Sequence, residues 1–106
     1  MLACKEIHQE ISMSVYQSKL QSCGIEWPQL TRPDLPFVPT RRVGDMLYVS
    51  GQIPEVLNDI PFIGQVGAEI DVDTALQCAR ICAANIIWWV DRALDGDLDR
   101  VIQLAK

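Results

Sequence analysis

The chain has few of the residues that nucleic-acid binding or metal chemistry would need. It carries one histidine, and nine lysines and arginines stand against fourteen acidic residues, for a formal net charge of −5. An acidic domain gains little by neutralising phosphates, so no nucleic-acid partner is expected. The local basic pair Arg41-Arg42 is typical of a solvated strand edge.

Cysteines are present without the spacing of a disulfide or zinc framework. Cys78 and Cys82 would lie one helical turn apart with parallel side chains, which is poor geometry for a disulfide. Cys4 and Cys23 form no second closely spaced pair and His8 lies far from the helical pair, so no metal site and no cofactor are predicted. Reduced thiols in a reducing, cytoplasmic compartment are the better interpretation.

Long apolar runs are also lacking. The stretch 81–90 is interrupted by Asn85 and bounded by Arg80 and Asp91, well below the length that spans a bilayer. Lys5 follows the first four residues at once, so no secretory signal forms. We therefore expect a soluble, cytoplasmic protein with no membrane partner.

What the chain does have is apolar content: 49% of its 106 residues are hydrophobic. A domain of this size buries only about two-thirds of its unfolded surface and is often marginal alone. The apolar surplus therefore favours a subunit that is covered by copies of itself.

Periodicity and turn residues predict an α+β order of elements. A short helix runs from about Ser14 to Cys23, and a proline-rich extended arm follows over 25–39. A hairpin then joins strands 40–43 and 46–53 across Gly44-Asp45. Strand alternation puts Leu47 and Val49 on one face and Met46, Tyr48 and Ser50 on the other, with both faces partly buried.

A loop over 54–67 leads to a second, longer helix from about Thr74 to Leu94, capped by Asp71 or Asp73 and ended by Gly96. Its apolar stripe is predicted as Leu76, Ala79, Ala83, Ile86, Ile87, Val90 and Leu94. A further strand is predicted over 99–105. Three strands under one helix make a thin domain, which is interpreted as an incomplete fold.

The stretch 43–54 ends its strand at Ser50-Gly51-Gln52, where a hydroxyl, an open backbone and an amide meet. With its Gly-Asp turn and following Ile-Pro, it resembles the signature strand of the YjgF/RidA family. Further matches in order are Gly64-x-Val66-Gly67-Ala68-Glu69, Ala79-Arg80-x-Cys82-Ala83-x-Asn85 and Gly96-Asp97-Leu98-Asp99-Arg100-Val101. They resemble a subgroup with an N-terminal extension.

This resemblance implies a chorismate-mutase-like α+β fold, a homotrimer, and hydrolytic deamination of small enamines or imines at pockets between subunits. It implies that residues 13–106 are the N-terminal part of such a domain, started at Met13, and that residues 1–12 are an extension of doubtful origin. Of the family pocket, Phe37, Ser50 and Gly51 carry over as substrate-binding residues. The family's late-strand arginine, which binds the substrate carboxylate, has no match, so no catalytic residue is assigned and the chain alone is expected to be inactive.

Several residues have structural interpretations that compete with functional ones. Ser50 lacks the nucleophile-elbow context of a serine hydrolase. Asn85 and Arg80 are expected to make a helix-to-loop hydrogen bond or a salt bridge, Glu69 to be solvated, and Trp88-Trp89 to pack or contact a subunit. Two alternative functions stay open: a non-catalytic interaction or oligomerisation protein, and an L-PSP-type endoribonuclease or translation inhibitor, which the acidic charge disfavours.

Overall fold

The computed structural model describes residues 15–28, 30 and 36–105. The extension over 1–12 and the start predicted at Met13 lie outside these residues, as do positions 29 and 31–35 of the proline-rich arm. The elements are α1 (Val15–Ser22), β1 (Thr40–Val43), β2 (Met46–Val49), α2 (Val72–Ala93) and a 3₁₀ helix (Leu98–Arg100). The predicted α+β class is confirmed.

Helix α1 ends where the sequence predicts, at Gly24. The Ile25 N–H donates to the Leu20 carbonyl and the Gly24 N–H donates to the Gln21 carbonyl, both at 2.9 Å. This pair of bonds satisfies carbonyls that the last helical turn leaves unpaired.

A hydrogen bond fastens α1 to the far end of the chain. The Tyr16 hydroxyl donates to a carboxylate oxygen of Asp99. That bond, above all, raises the pKa of Tyr16, because the carboxylate stabilises the protonated phenol. The bond joins residues 83 positions apart in the sequence. It therefore connects α1 to the 3₁₀ helix that follows α2.

The hairpin has the predicted turn, but β2 is shorter than predicted. Val43 pairs with Met46 across Gly44, whose φ of +58° suits the first position of a two-residue hairpin turn. The Ser50 N–H still donates to the Pro39 carbonyl at 2.9 Å. Pro39 has no N–H to return, so the ladder stops there and β2 does not continue to residue 53.

The two faces of the hairpin differ in burial. Leu47 and Val49 are half-buried, and α2 contacts both strands. Met46 and Tyr48 are 46% and 57% exposed. The alternation is as predicted. The prediction that both faces are partly buried is wrong for Met46 and Tyr48, because the single helix covers only the other face, whereas Ser50 on the second face is half-buried.

The loop over 54–67 contains two tight turns. Val56 and Asp59 exchange backbone hydrogen bonds of 2.7 and 3.0 Å across Leu57-Asn58, whose φ angles are both positive. Gly64 has φ +152°, and a Cβ there would lie 2.7 Å from the Glu69 Cβ. Only glycine fits at this position, which explains its place in the Gly64-x-Val66-Gly67 pattern.

Helix α2 begins with an aspartate cap and ends in a left-handed turn. The Asp71 carboxylate accepts from the Thr74 N–H at 2.8 Å, so Asp71 rather than Asp73 is the cap. Hydrogen bonding from Thr74, side chain and backbone, lowers the pKa of Asp71. At the other end Asp95 has φ +54°, and the Gly96 N–H donates to the Asp91 carbonyl at 2.8 Å.

The buried line of α2 is not the predicted stripe. Ala84, Asn85 and Trp88 are buried, together with Leu30, Ile70 and Leu94 from elsewhere in the described chain. Leu76 is 51% exposed and Ile86 is 38% exposed, while Ala79 and Ala83 are also exposed. Of the predicted stripe, Leu94 is buried at 7% exposure, and Ile87 and Val90 are half-buried. The helix is rotated so that a polar residue, Asn85, turns inward.

The strand predicted over 99–105 is wrong. Leu98–Arg100 is a 3₁₀ helix, Val101 is extended with φ −73° and ψ 119°, and residues 101–105 are exposed without regular structure. A strand is defined by its ladder, and no described residue pairs with this segment. The same described residues contain no helix long and apolar enough to cross a membrane.

Candidate functional site

Ser50 ties the end of β2 to the segment that precedes β1. Its hydroxyl donates to the Val38 carbonyl at 2.8 Å, and its N–H bonds Pro39 as described above. The hydroxyl proton is therefore engaged, while the oxygen keeps lone pairs that can accept. Without a base among its described partners, Ser50 is suited to hold a polar molecule rather than to attack one.

Gly51 is open on its outer side. It is exposed, and a Cβ built on it would meet nothing within 4 Å. Its φ lies outside the left-handed region. Nothing in the described chain therefore requires glycine here, and a close approach from outside the chain is the role that its missing side chain would serve.

Phe37 presents its ring at the same end of the hairpin. The residue is 51% exposed and directly precedes Val38, the hydrogen-bond acceptor of Ser50. The structure thus brings the three predicted substrate-binding residues to the end of the hairpin where β1 begins and β2 ends. Together they offer an apolar ring, a hydroxyl and exposed backbone.

Two amide side chains fix the backbone that follows Ser50. The Gln52 Nε2 donates to the Ser50 carbonyl at 3.0 Å. The Asn85 Nδ2 donates to the carbonyls of Ile53 and Glu55, each at 3.1 Å. Asn85 is 1% exposed. The predicted helix-to-loop hydrogen bond is confirmed for Asn85, and its polar position inside the run 81–90 was the available sequence signal.

The tryptophan pair lies near the C-terminal end of α2. Trp88 and Trp89 meet edge to face, with ring centroids 4.8 Å apart at 85°. The Arg92 guanidinium carbon lies 4.7 Å from the Trp88 ring centroid, a cation–π contact. Trp88 is 8% exposed. The predicted packing role is therefore confirmed for Trp88.

A shallow cleft of about 210 Å³ lies between the end of α2 and the start of β1. Its lining comprises Val38, Pro39, Thr40, Trp89, Arg92 and Ala93. Asp91, one residue before Arg92, has its pKa raised by burial, partly offset by the charge of Arg92. Val38 and Pro39 join this cleft to the Ser50 end of the hairpin.

The remaining candidates add no reaction centre. No group of three or more acidic, histidine or cysteine side chains that suits a metal occurs in the described ranges. Cys78 and Cys82 are free thiols, and burial, followed by the neighbouring Cys78, raises the pKa of Cys82. A raised pKa makes a thiol less nucleophilic near neutrality. Among the described residues, the polar groups at Ser50 therefore remain the candidate site.

The chain is similar to known proteins in sequence and in fold. The chain is similar to Protein TCP17 of Trypanosoma cruzi, with 37% identity over 91 residues, covering 84% of this chain and 55% of that protein. No protein-family model matches the chain. The chain thus spans about half the length of the curated relative that it matches.

Two solved structures resemble the fold. Protein Atu1372 of Agrobacterium tumefaciens, whose function is unknown, superposes with a TM-score of 0.69 and 38% identity, covering 79% of this chain and 49% of that one. A candidate endoribonuclease of Shewanella oneidensis MR-1 superposes with a TM-score of 0.74 and 28% identity, covering 86% and 60%. The chain has a YjgF-like fold, consistent with the chorismate-mutase-like class.

Proposed function

We propose that this chain forms one wall of a small-molecule pocket of the RidA type, used by lineage to hydrolyse reactive enamines or imines. The observation that carries the proposal is the Ser50–Val38 hydrogen bond at 2.8 Å, which holds Ser50, Gly51 and the segment of Phe37 at one end of the hairpin. The YjgF-like fold of the similar structures supports it.

Each of the three residues has a separate task in this pocket. The exposed Phe37 ring covers the apolar part of a small substrate. Ser50 contributes a hydroxyl oxygen that accepts a hydrogen bond, and Gly51 lets substrate or water approach the backbone. The resemblance assigns substrate carboxylate binding to an arginine that this chain does not match, so the chain alone binds the small molecule without turning it over.

Assembly into a homotrimer is part of the proposal. In the hairpin Arg41 faces Tyr48 and Val43 faces Met46, so these four side chains share one face of the sheet. All four are exposed. A second copy that covers this face would bury Val43, Met46 and Tyr48 and leave Arg41 at the rim, where a charge stays hydrated.

The test uses the backbone signal of Gly51 as its readout. Labelling glycine with ¹⁵N gives six amide resonances at most. Titration with pyruvate, a 2-keto acid of the product class, should shift the Gly51 signal and leave Gly24 unchanged. Ser50→Ala should weaken the response, whereas Ser18→Ala on exposed α1 should not.

Ammonia release from freshly generated 2-aminoacrylate is measured on the same samples. We expect the uncatalysed rate, because no carboxylate-binding arginine is matched. Absence of any Gly51 shift would refute the pocket. Clear turnover would refute the binding-only assignment and direct attention to Arg41, Arg42 or Arg80 as the anion partner.

The similar Shewanella structure brings a second candidate, RNA cleavage. A net charge of −5 opposes phosphate binding. We therefore expect no cleavage of a single-stranded RNA substrate above a buffer control. RNA cleavage that is lost in the Ser50→Ala variant would support an endoribonuclease function instead of a deaminase function.

A further inference from the structure

Residues 101–105 have the composition of a strand, and apart from the bond of the Val101 N–H to the Leu98 carbonyl no backbone hydrogen bond joins them to another described residue. The sequence Val-Ile-Gln-Leu-Ala contains no charge and no proline. Ile102 is 95% exposed and Leu104 is 86% exposed. A short apolar segment of high strand propensity with unpaired backbone is prone to pair with another strand edge.

The hairpin offers an open edge on β2. The bond from the Ser50 N–H to the Pro39 carbonyl marks that pair as hydrogen-bonded, and the pairing then alternates along the ladder. The backbone groups of Leu47 and Val49 therefore point away from β1. Among the described residues, none forms a backbone hydrogen bond with them.

The β1 edge is less suited than the β2 edge to pair with another strand. Its outward groups belong to Thr40 and Arg42, and Pro39 precedes them. The Arg42 side chain folds back so that its Nε donates to the Gly44 carbonyl at 3.0 Å. Charged residues and proline are devices that protect an edge, whereas β2 carries no charge between Met46 and Val49.

We propose that residues 101–105 of a second copy of this chain add a strand to the open β2 edge. The occupant is a second copy because one chain carries both halves of the contact: an uncharged edge and an uncharged segment that pairs with no strand of the described chain. Their lengths match, since β2 has four residues and the segment has five. The inference stands apart from the proposed deaminase function.

Side-chain alternation supports the same pairing. Ile102 and Leu104 fall on one face of an extended segment, with Val101, Gln103 and Ala105 on the other. Leu47 and Val49 lie on the α2 side of β2 and are half-buried. Adding the segment continues this apolar face and removes Ile102 and Leu104 from water.

A proline scan distinguishes strand pairing from non-specific hydrophobic association. Consecutive residues of a strand direct their N–H groups to opposite edges, so only one of Ile102→Pro and Gln103→Pro removes a donor aimed at β2. We expect that variant to weaken self-association about tenfold, the factor that corresponds to about 1.4 kcal/mol. The other proline variant should match its alanine control, Ile102→Ala or Gln103→Ala, in sedimentation equilibrium.

A mixed-label sample identifies the edge. Copies labelled with ¹⁵N are mixed with copies labelled with ¹³C, and contacts between differently labelled copies are recorded. We expect contacts from the amides of Leu47 and Val49 to protons of residues 102–104. A monomeric chain, equal effects of both prolines, or contacts confined to Met46 and Tyr48 would each overturn the proposal.

Discussion

The side of the hairpin that faces α2 and the side that faces away carry similar numbers of apolar residues. They differ in how far those residues are buried. On the α2 side Asn85 bonds two loop carbonyls and Trp88 is buried against Trp89 and Arg92. On the other side Met46 and Tyr48 stay exposed. Apolar content alone therefore does not close this molecule; a buried amide and one large ring fix where the helix sits.

Trp88→Ala should cause the largest loss on the closed side. Removing a buried indole forfeits its transfer free energy, leaves a cavity and also ends the cation–π contact with Arg92. We expect the free energy of unfolding to fall by about 3–5 kcal/mol in urea titrations. The matched control is Ile102→Ala at a 95% exposed position outside the hairpin; an equal loss there would mean that the burial of Trp88 does not set the cost.

Asn85→Ala should follow with a smaller loss. The substitution leaves the carbonyls of Ile53 and Glu55 without their donor. We expect a destabilisation of about 1–3 kcal/mol, with faster hydrogen exchange concentrated in the loop after β2. Gln103→Ala, an exposed amide, serves as the control. Unchanged exchange in the loop would show that Asn85 does not hold it.

The cap of α2 gives a pH-dependent effect. Because the folded pKa of Asp71 is lowered, its bonds stabilise the protein above the ordinary pKa of an aspartate, and this contribution is lost as pH falls through the lowered value. Asp71→Asn keeps a capping side chain that does not titrate. Thermal midpoints of the variant should therefore fall less steeply in acid than those of the parent. Parallel curves would contradict the assignment.

The open side should tolerate change best. Tyr48→Thr removes an aromatic ring from an exposed strand position and keeps a residue that suits strands. We expect the stability of the single chain to change by less than about 0.5 kcal/mol, measured at protein concentrations that keep it dissociated. A loss comparable to that of Asn85→Ala would mean that this face is covered within one chain.

Sequence patterns predicted the elements well where the signal was local. Gly24, Gly44 and Asp71 act through their own backbone neighbours, so their roles as helix stop, turn and cap could be anticipated. The α+β order likewise followed from periodicity. Such features depend on a few adjacent residues, and their physics is contained in the local sequence.

Features set by distant contacts were predicted less well. The predicted stripe through Leu76 and Ile86 was based on the spacing of apolar residues alone. The observed rotation of α2 follows from the hydrogen bonds of Asn85 to a loop more than two dozen residues away. The strand over 99–105 had the right residues and lacked a ladder. The site residues came from a family resemblance, since no local pattern marks Phe37 and Ser50 as neighbours.

The perpendicular indoles of Trp88 and Trp89 have an optical consequence. Two chromophores 4.8 Å apart couple their excited states, and exciton coupling gives paired circular-dichroism bands of opposite sign that vanish when the rings separate. Both rings belong to α2 and Trp88 is buried, so this signal reports the fixed side-chain packing of the two indoles. The chain thus contains its own spectroscopic probe of tertiary structure, with no added label.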